Sequence, residues 1–217
     1  MDSIDLTVHS GEILGVAGID GNGQSELVEV LTGIRRQTAG TIFFHGEPFQ
    51  HLSIRKRWEK GMAYVPSDRH QDGLIMDADV TANIALRTYY RPPYAKGLIL
   101  RYGELQKSAR ALVEAYQVKV PSLSAKARVL SGGNQQKLIL SRELQAAGDL
   151  IIACQPTRGL DIGATEYLHQ QLLDRRNQGK SVLLVSTDLG EVLALSDRIA
   201  VIHGGKIMGT VPNTPDV

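Results

Sequence analysis

A chain of 217 residues, with 42% hydrophobic and 22% charged residues, has the composition of one globular domain or of one domain carrying a small inserted subdomain. A formal net charge of +1 excludes the strongly basic footprint of nucleic-acid binding, so no nucleic-acid partner is expected. The sole cysteine, Cys154, rules out an intrachain disulfide and suits a reducing, cytosolic setting. There is neither a signal-peptide pattern nor an apolar run of the ~18–20 residues that span a bilayer.

In chain order, residues 12–17 (EILGVA) form a short apolar run that ends in a glycine-rich turn, the pattern of a buried strand. Leu27, Val28, Val30 and Leu31 then follow helical spacing over 25–31, so the opening reads strand, glycine loop, helix. Residues 41–44 and Met62–Val65 read as strands, and 80–86 as a short helix. The stretch 87–100 (RTYYRPPYAKGLIL) holds two prolines, three tyrosines and three basic residues, and reads as a loop or surface excursion. Leu105, Ala109, Leu112, Val113 and Tyr116 lie on one side of a helix over 104–116.

A glycine pair then opens a helix over 134–144, followed by a strand at 150–153 and a helix over 164–176 with Leu168, Leu172 and Leu173 apolar. Residues 181–185 (SVLLV) form the near-continuous apolar run of a parallel strand covered on both faces. Leu189–Leu195 is a short helix, Arg198–His203 and 206–211 flank a hairpin turn at Gly204-Gly205, and 212–217 reads as a frayed tail. The alternation of strand and helix predicts an α/β core with a mainly parallel sheet. The helical stretch at about 83–144 interrupts that alternation as an inserted helical subdomain of a single domain spanning 1–217.

Two glycine motifs carry the chemistry. The first reads Gly18-Ile19-Asp20-Gly21-Asn22-Gly23-Gln24-Ser25, the spacing of a phosphate-binding loop with glutamine in the lysine position. Its glycines let backbone N–H groups turn inward around anionic oxygens, and the helix behind adds its positive end. Ser25 stands where a hydroxyl would hold Mg²⁺. Gln24 brings no charge to the phosphates, which costs roughly 1.5–3 kcal/mol of charge-assisted bonding, and Asp20 and Glu26 worsen the local field. On this loop alone, an ordinary strand-to-helix turn fits as well. The second motif, Leu130-Ser131-Gly132-Gly133-Asn134-Gln135-Gln136-Lys137, is far more specific: a hydroxyl and two glycines stand before a helix whose leading N–H groups point at whatever lies in front. Taken alone, Ser131 could simply cap that helix.

LSGGNQQK resembles the signature motif of ABC ATPases, in the form typical of sugar and nucleoside importers. The segment 151–161 (IIACQPTRGLD) is similar to that family's Walker B strand running into its D-loop at Gly159, Leu160 and Asp161. Residues 183–192 resemble the switch region, and Tyr64-Val65-Pro66-Ser67-Asp68-Arg69 the Q-loop region. The likeness covers nearly the whole chain. GIDGNGQSEL and QPTRGLD together resemble the second, degenerate half of tandem importer ATPase subunits. It implies a P-loop NTPase-like fold, ATP and Mg²⁺ as cofactors, and a position on the cytoplasmic side of a membrane. The partners it implies are another nucleotide-binding half, transmembrane permease subunits and, indirectly, a solute-binding protein.

Carried over position by position, the resemblance meets substitutions. The Walker A lysine is Gln24, the Walker B aspartate Cys154, the adjacent glutamate Gln155, the switch histidine Thr187 and the Q-loop glutamine Ser67. Phosphoryl transfer rests on positioning and charge stabilisation. Glutamine orients water but does not accept its proton, and a thiol is a poor ligand for Mg²⁺. No catalytic residue of the set is intact, whereas the signature side is. The expectation is a degenerate half, binding its own nucleotide weakly, that lends Ser131, Gly132 and Gly133 to a partner's ATP site; the competing reading is an active ATPase working as a homodimer.

The first aromatic residue is Phe43, so the adenine-stacking aromatic expected before the glycine loop is missing. Met1 stands only seventeen residues before Gly18, as in an N-terminally truncated domain, and His9 reads as an ordinary surface histidine. In this family the stretch from Ser67 to about Leu100 meets the transmembrane subunit. Tyr89, Tyr90, Arg91, Pro92, Pro93 and Tyr94 suit either an interface or a mobile loop.

Overall fold

The computed structural model describes residues 4–146 and 148–214. In chain order its elements are β1 (Ile13–Ala17), α1 (Gln24–Thr32), β2 (Phe43–Phe44), β3 (Glu47–Pro48), α2 (Ile54–Glu59), β4 (Met62–Val65), a π-turn (Arg69–Gly73), α3 (Val80–Ala85), β5 (Ala95–Lys96), β6 (Ile99–Leu100), α4 (Tyr102–Ala115), a 3-10 turn (Ala127–Val129), α5 (Gly132–Ala146), β7 (Leu150–Cys154), α6 (Ile162–Asn177), β8 (Ser181–Ser186), α7 (Leu189–Leu195), β9 (Arg198–His203) and β10 (Lys206–Pro212). They divide into two compact units. One comprises the described residues up to 64, 148–156 and those from 167 onward; the other comprises 65–146 and 157–166.

The first unit is built on a six-stranded sheet in the order β10-β9-β1-β8-β7-β4. β1 runs parallel to β8 and β9, and β7 runs parallel to β8, while β10 returns antiparallel on β9. Ile13, Leu14, Val16, Ile151, Ile152, Leu184 and Val185 are fully buried, which is why these strands read as unbroken apolar runs. α7 lies on β1 where Gly15 leaves room: a Cβ there would come within 2.2 Å of Ser196 Oγ and 2.7 Å of Val192 Cγ1. The P-loop-type order, glycine loop between β1 and α1, is therefore set at the centre of the sheet.

Arg57, 3% exposed, holds together the region after α1. Its guanidinium donates to the carbonyls of Val30, Leu31, Gln50 and Leu52 at 2.6–3.1 Å. Two of these, Val30 O and Leu31 O, belong to the last turn of α1, where helix carbonyls run short of internal partners; Val30 O also accepts from the C-cap Gly33 N–H at 3.2 Å.

In the second unit α3 packs on α4 and α5. Leu105, Ala109 and Leu112 form the buried stripe of α4. Glu143 is buried between two cations, Arg87 at 2.6 Å and Arg142 at 2.8 Å. A carboxylate out of water persists only when paired in this way.

Several expectations are corrected. The strand expected over 41–44 pairs only at Phe43–Phe44, with β3. The excursion over 87–100 ends in ordered structure: β5 and β6 form a hairpin, Ala95 opposite Leu100 and Lys96 opposite Ile99, closed by Gly97 at φ +61°. The frayed tail expected over 212–217 is not what 212 and 213 form. Pro212 pairs with Arg198, and Asn213 Nδ2 donates to Leu193 O and Ser196 O at 2.8 and 2.7 Å. Residues 215–217 lie outside the described residues.

Candidate functional site

In the first unit, β1 delivers the chain into the loop 18–25. Gly21 and Gly23 take positive φ, +82° and +104°, a conformation open to glycine at little steric cost. Gly23 is the N-cap of α1 and no side chain caps it, so the leading N–H groups of the helix remain available to an anion. The space before Gly21 is open, since a Cβ there would meet nothing within 4 Å. Backbone geometry thus fits a phosphate cradle.

Gln24 alters it from within. The side chain is buried, 6% exposed, and folds back on its own loop. Nε2 donates to Ile19 O at 3.0 Å, and Oε1 accepts from Asn22 N at 3.2 Å. The amide therefore occupies one of the loop N–H groups that would otherwise face an anion. A Cβ at Gly18 would lie 2.7 Å from Gln24 Nε2, so Gly18 is part of the same packing. Asn22 in turn ties the loop to the β9–β10 turn: Oδ1 accepts from Gly204 N at 2.8 Å, and its carbonyl from Gly205 N at 2.9 Å. Asp20 and Ser25 are exposed and Glu26 is half-buried.

The first 34 residues contain no lysine or arginine. In the structure cations from elsewhere in the chain meet two of their carboxylates, Arg198 at Glu12 at 3.1 Å and Arg35 at Glu29 at 2.6 Å.

At the ends of β7 and β8 the structure brings Gln155 and Thr187 together. Gln155 Oε1 accepts from Thr187 N at 3.3 Å and from Thr187 Oγ1 at 3.2 Å. Gln155 sits at φ +44° and donates its N–H to Val185 O at 2.8 Å. Cys154 points into the sheet core beside Val185 and Ile152, 5% exposed. Among the described residues no group of three or more His, Cys, Asp or Glu stands together as a metal site. Phosphate oxygens fit the loop; Mg²⁺, which requires oxygen donors, finds a buried thiol where the resemblance puts its aspartate.

In the second unit α5 begins at Gly132, two residues earlier than the helix expected over 134–144, so Gly132 and Gly133 are its first residues; Leu130 before them is buried and Ser131 exposed. Ser131 Oγ accepts from Asn134 Nδ2 at 2.9 Å, and Asn134 Oδ1 accepts from Lys119 N at 2.7 Å. Gln135 is buried and bonds His70 Nε2 at 3.0 Å and Ala127 O at 3.2 Å. The D-loop residues lie alongside. Asp161 Oδ1 accepts from Ala164 N at 2.8 Å at the start of α6, and a Cβ on Gly133 would come within 3.1 Å of Ala164.

One residue that the sequence placed in the Q-loop-like segment without a role joins these pieces. Arg69 Nη1 donates to Arg158 O at 3.0 Å, and its guanidinium lies 3.1 Å from the Cβ position of Gly132 and 3.6 Å from that of Gly159. Both glycines are places where any side chain would meet this cation. Asp68 accepts from Gln71 and His70 N–H groups at the head of the π-turn, and those bonds hold its carboxyl below the usual range. An arginine inside a strand-following turn carries no periodic signal, so only the folded chain identifies its role.

Residues 1–158 match the family described as "ABC transporter". The chain is 50% identical over 208 residues to the guanosine import ATP-binding protein NupO of Bacillus subtilis, covering 96% of this chain and 41% of that one. It is 49% identical over 208 residues to the nucleoside import ATP-binding protein NupA of Lactococcus lactis, with the same coverage. It is 43% identical over 219 residues to the glucose import ATP-binding protein TsgD13 of Haloferax volcanii, covering all of this chain and 40% of that one. The chain thus spans about two fifths of the length of these relatives. Among solved structures, a dimeric cassette of a bacterial ABC transporter superposes with a TM-score of 0.80 at 22% identity, covering 97% of this chain and 89% of that one. A nucleotide-free ABC cassette gives 0.81 at 20% identity, covering 99% and 85%. Among the described residues no helix is long and apolar enough to cross a membrane.

Proposed function

Because this chain belongs to the ABC transporter family, we propose that it is the nucleotide-binding cassette of a solute importer of the nucleoside or simple-sugar type, and that it is the weaker half of a cassette pair. In this reading it holds ATP loosely at the loop 18–25 and presents Ser131, Gly132 and Gly133 to a partner cassette's nucleotide. It reaches the cytoplasmic face of the membrane through permease subunits, which a solute-binding protein supplies. The observation that carries it is Gln24: a neutral, buried amide satisfied by its own loop stands where a cation would meet the phosphates. The Gln155–Thr187 bond supports it, since neither group takes a proton from attacking water.

A second reading has the chain hydrolysing ATP as a homodimer. The names of the relatives, all import ATP-binding proteins, and the dimeric cassette among the structural neighbours favour that reading more directly than the first. Titration calorimetry with ATP, with and without Mg²⁺, together with phosphate release by the purified chain, separates them. The degenerate reading expects weak binding that Mg²⁺ does not tighten, no phosphate release above background, and an affinity gain of about ten- to a hundredfold in Gln24→Lys. Phosphate release that rises with the square of protein concentration would establish the homodimer instead.

A further inference from the structure

Asn22 stands between the two left-handed glycines of the phosphate loop, Gly21 and Gly23, and each of its polar groups has a partner. Its backbone N–H donates to Gln24 Oε1 at 3.2 Å, and its side-chain Nδ2 to Ile19 O at 3.0 Å. Oδ1 accepts from Gly204 N at 2.8 Å, and the carbonyl from Gly205 N at 2.9 Å. The first two bonds stay inside the loop; the side-chain bond to the β9–β10 turn reaches across 182 positions of chain.

That turn has two donors to spare. His203 pairs with Lys206 across a two-residue loop, so the ladder uses the N–H group of neither Gly204 nor Gly205. Both glycines take positive φ, +55° and +76°, and successive backbone donors in such turns are a common receptor for anions. Here two oxygens of Asn22 take the anion's place. Asparagine suits the position because one side chain supplies an acceptor to the turn and a donor to Ile19. Aspartate would keep the acceptor, lose the donor and set a negative charge at the mouth of an anion site.

The loop needs such an anchor. Gly18, Gly21 and Gly23 give up more conformational freedom on ordering than other residues would, and a Cβ at Gly21 would meet nothing within 4 Å, so packing does not restrain it. A lysine would offset that loss by its attraction to phosphate, whereas Gln24 brings no charge. Backbone N–H groups must then hold the anion, and ordering them at the moment of binding would subtract from affinity. We infer that Asn22, clamped by the Gly204–Gly205 turn, is the positioning residue of the loop 18–25, holding its N–H groups ready for phosphate before nucleotide arrives, an assignment that rests on the reading of this loop as a nucleotide site.

Titration calorimetry with ATP on the purified chain and on Asn22→Ala, with hydrogen exchange of both, tests it. Asn22→Ala is expected to bind ATP about tenfold more weakly, with faster exchange at Gly204 and Gly205 and with the protection of β1 and β8 retained. Asn22→Asp separates anchoring from charge: Gly204 stays protected as in the parent, and the deficit in ATP affinity shrinks as salt is raised, while that of Asn22→Ala persists. Unchanged ATP affinity in Asn22→Ala, or unchanged exchange at Gly204 and Gly205, overturns the inference and leaves the nucleotide reading intact. Loss of protection throughout β1 and β8 would reduce Asn22 to a structural residue, and an alanine deficit that salt erases would make its effect electrostatic; either result sinks the positioning role. No ATP binding by the parent itself removes the nucleotide reading, and this role for Asn22 with it.

Discussion

Gln24 and Gln155 share a physical property that the charged residues of the ABC pattern lack. A neutral amide donates and accepts at once, and Gln24 uses both sides with no ligand present, donating to Ile19 O and accepting from Asn22 N, where a lysine would have only donors. Gln155 uses only its oxygen, which accepts from Thr187 N and Oγ1; its neutrality shows instead in bringing no charge to metal or water. Arg57 makes the opposite case, a buried charge kept for structure. Its removal leaves four carbonyls without their donor, so Arg57→Met is expected to lower stability by about 3 kcal/mol or more. Urea denaturation at neutral pH measures this, and a loss under about 1 kcal/mol would mean that water replaces the guanidinium.

At the scale of elements, capping decides where the helices of the second unit begin. Asp79 accepts from Ala82 N at 2.7 Å at the head of α3, and its other oxygen takes the Tyr102 hydroxyl at the head of α4. The same hydrogen bond pushes the Tyr102 phenol above its ordinary pKa. Asp79→Ala should therefore cost about 1 kcal/mol and loosen the anchor of the hairpin. Thermal melting reads the first effect, and faster hydrogen exchange over 95–102 the second. An unchanged exchange rate there would show that Ala95 and Tyr94 hold the hairpin without Asp79.

For the whole molecule, Asp149 stands where strand ends converge. Lys180, entering β8, and His45, beyond β2, both bond its carboxyl at 3.0 Å. Hydrogen bonding to Lys180 foremost, and then to His45, holds Asp149 below the usual carboxylate range. Glu47 is lowered by its bond to Lys60 in the same way. A carboxyl with a depressed folded pKa contributes stability fully above its unfolded value of about 4, and that contribution disappears as pH falls through the folded value. Urea midpoints should accordingly drop below about pH 4, and Asp149→Asn should be less stable than the parent at neutral pH but converge with it in acid. Parallel pH profiles for the two proteins would remove Asp149 from the acid limb.

What the sequence by itself determined is what local pattern controls. The apolar runs at 181–185 and 150–153, the turn at Gly204-Gly205, and the two glycine motifs were readable, because burial on both sheet faces and tight turns restrict residue choice directly. The substitutions at 24, 154, 155 and 187 were equally readable as chemistry, since each changes what a side chain donates, accepts or carries. Only the tertiary structure decided where those groups spend their hydrogen bonds. Gln24 closes on residues of its own loop, two and five positions before it, whereas the meeting of Gln155 with Thr187 and the packing of Arg69 beside Gly132 and Gly159 depend on segments far apart in the chain. The apolar letters of 98–100 likewise became an exposed tip only once Ala95 and the tyrosines had anchored the hairpin beneath it. Long-range packing sets such contacts, and no local spacing encodes them.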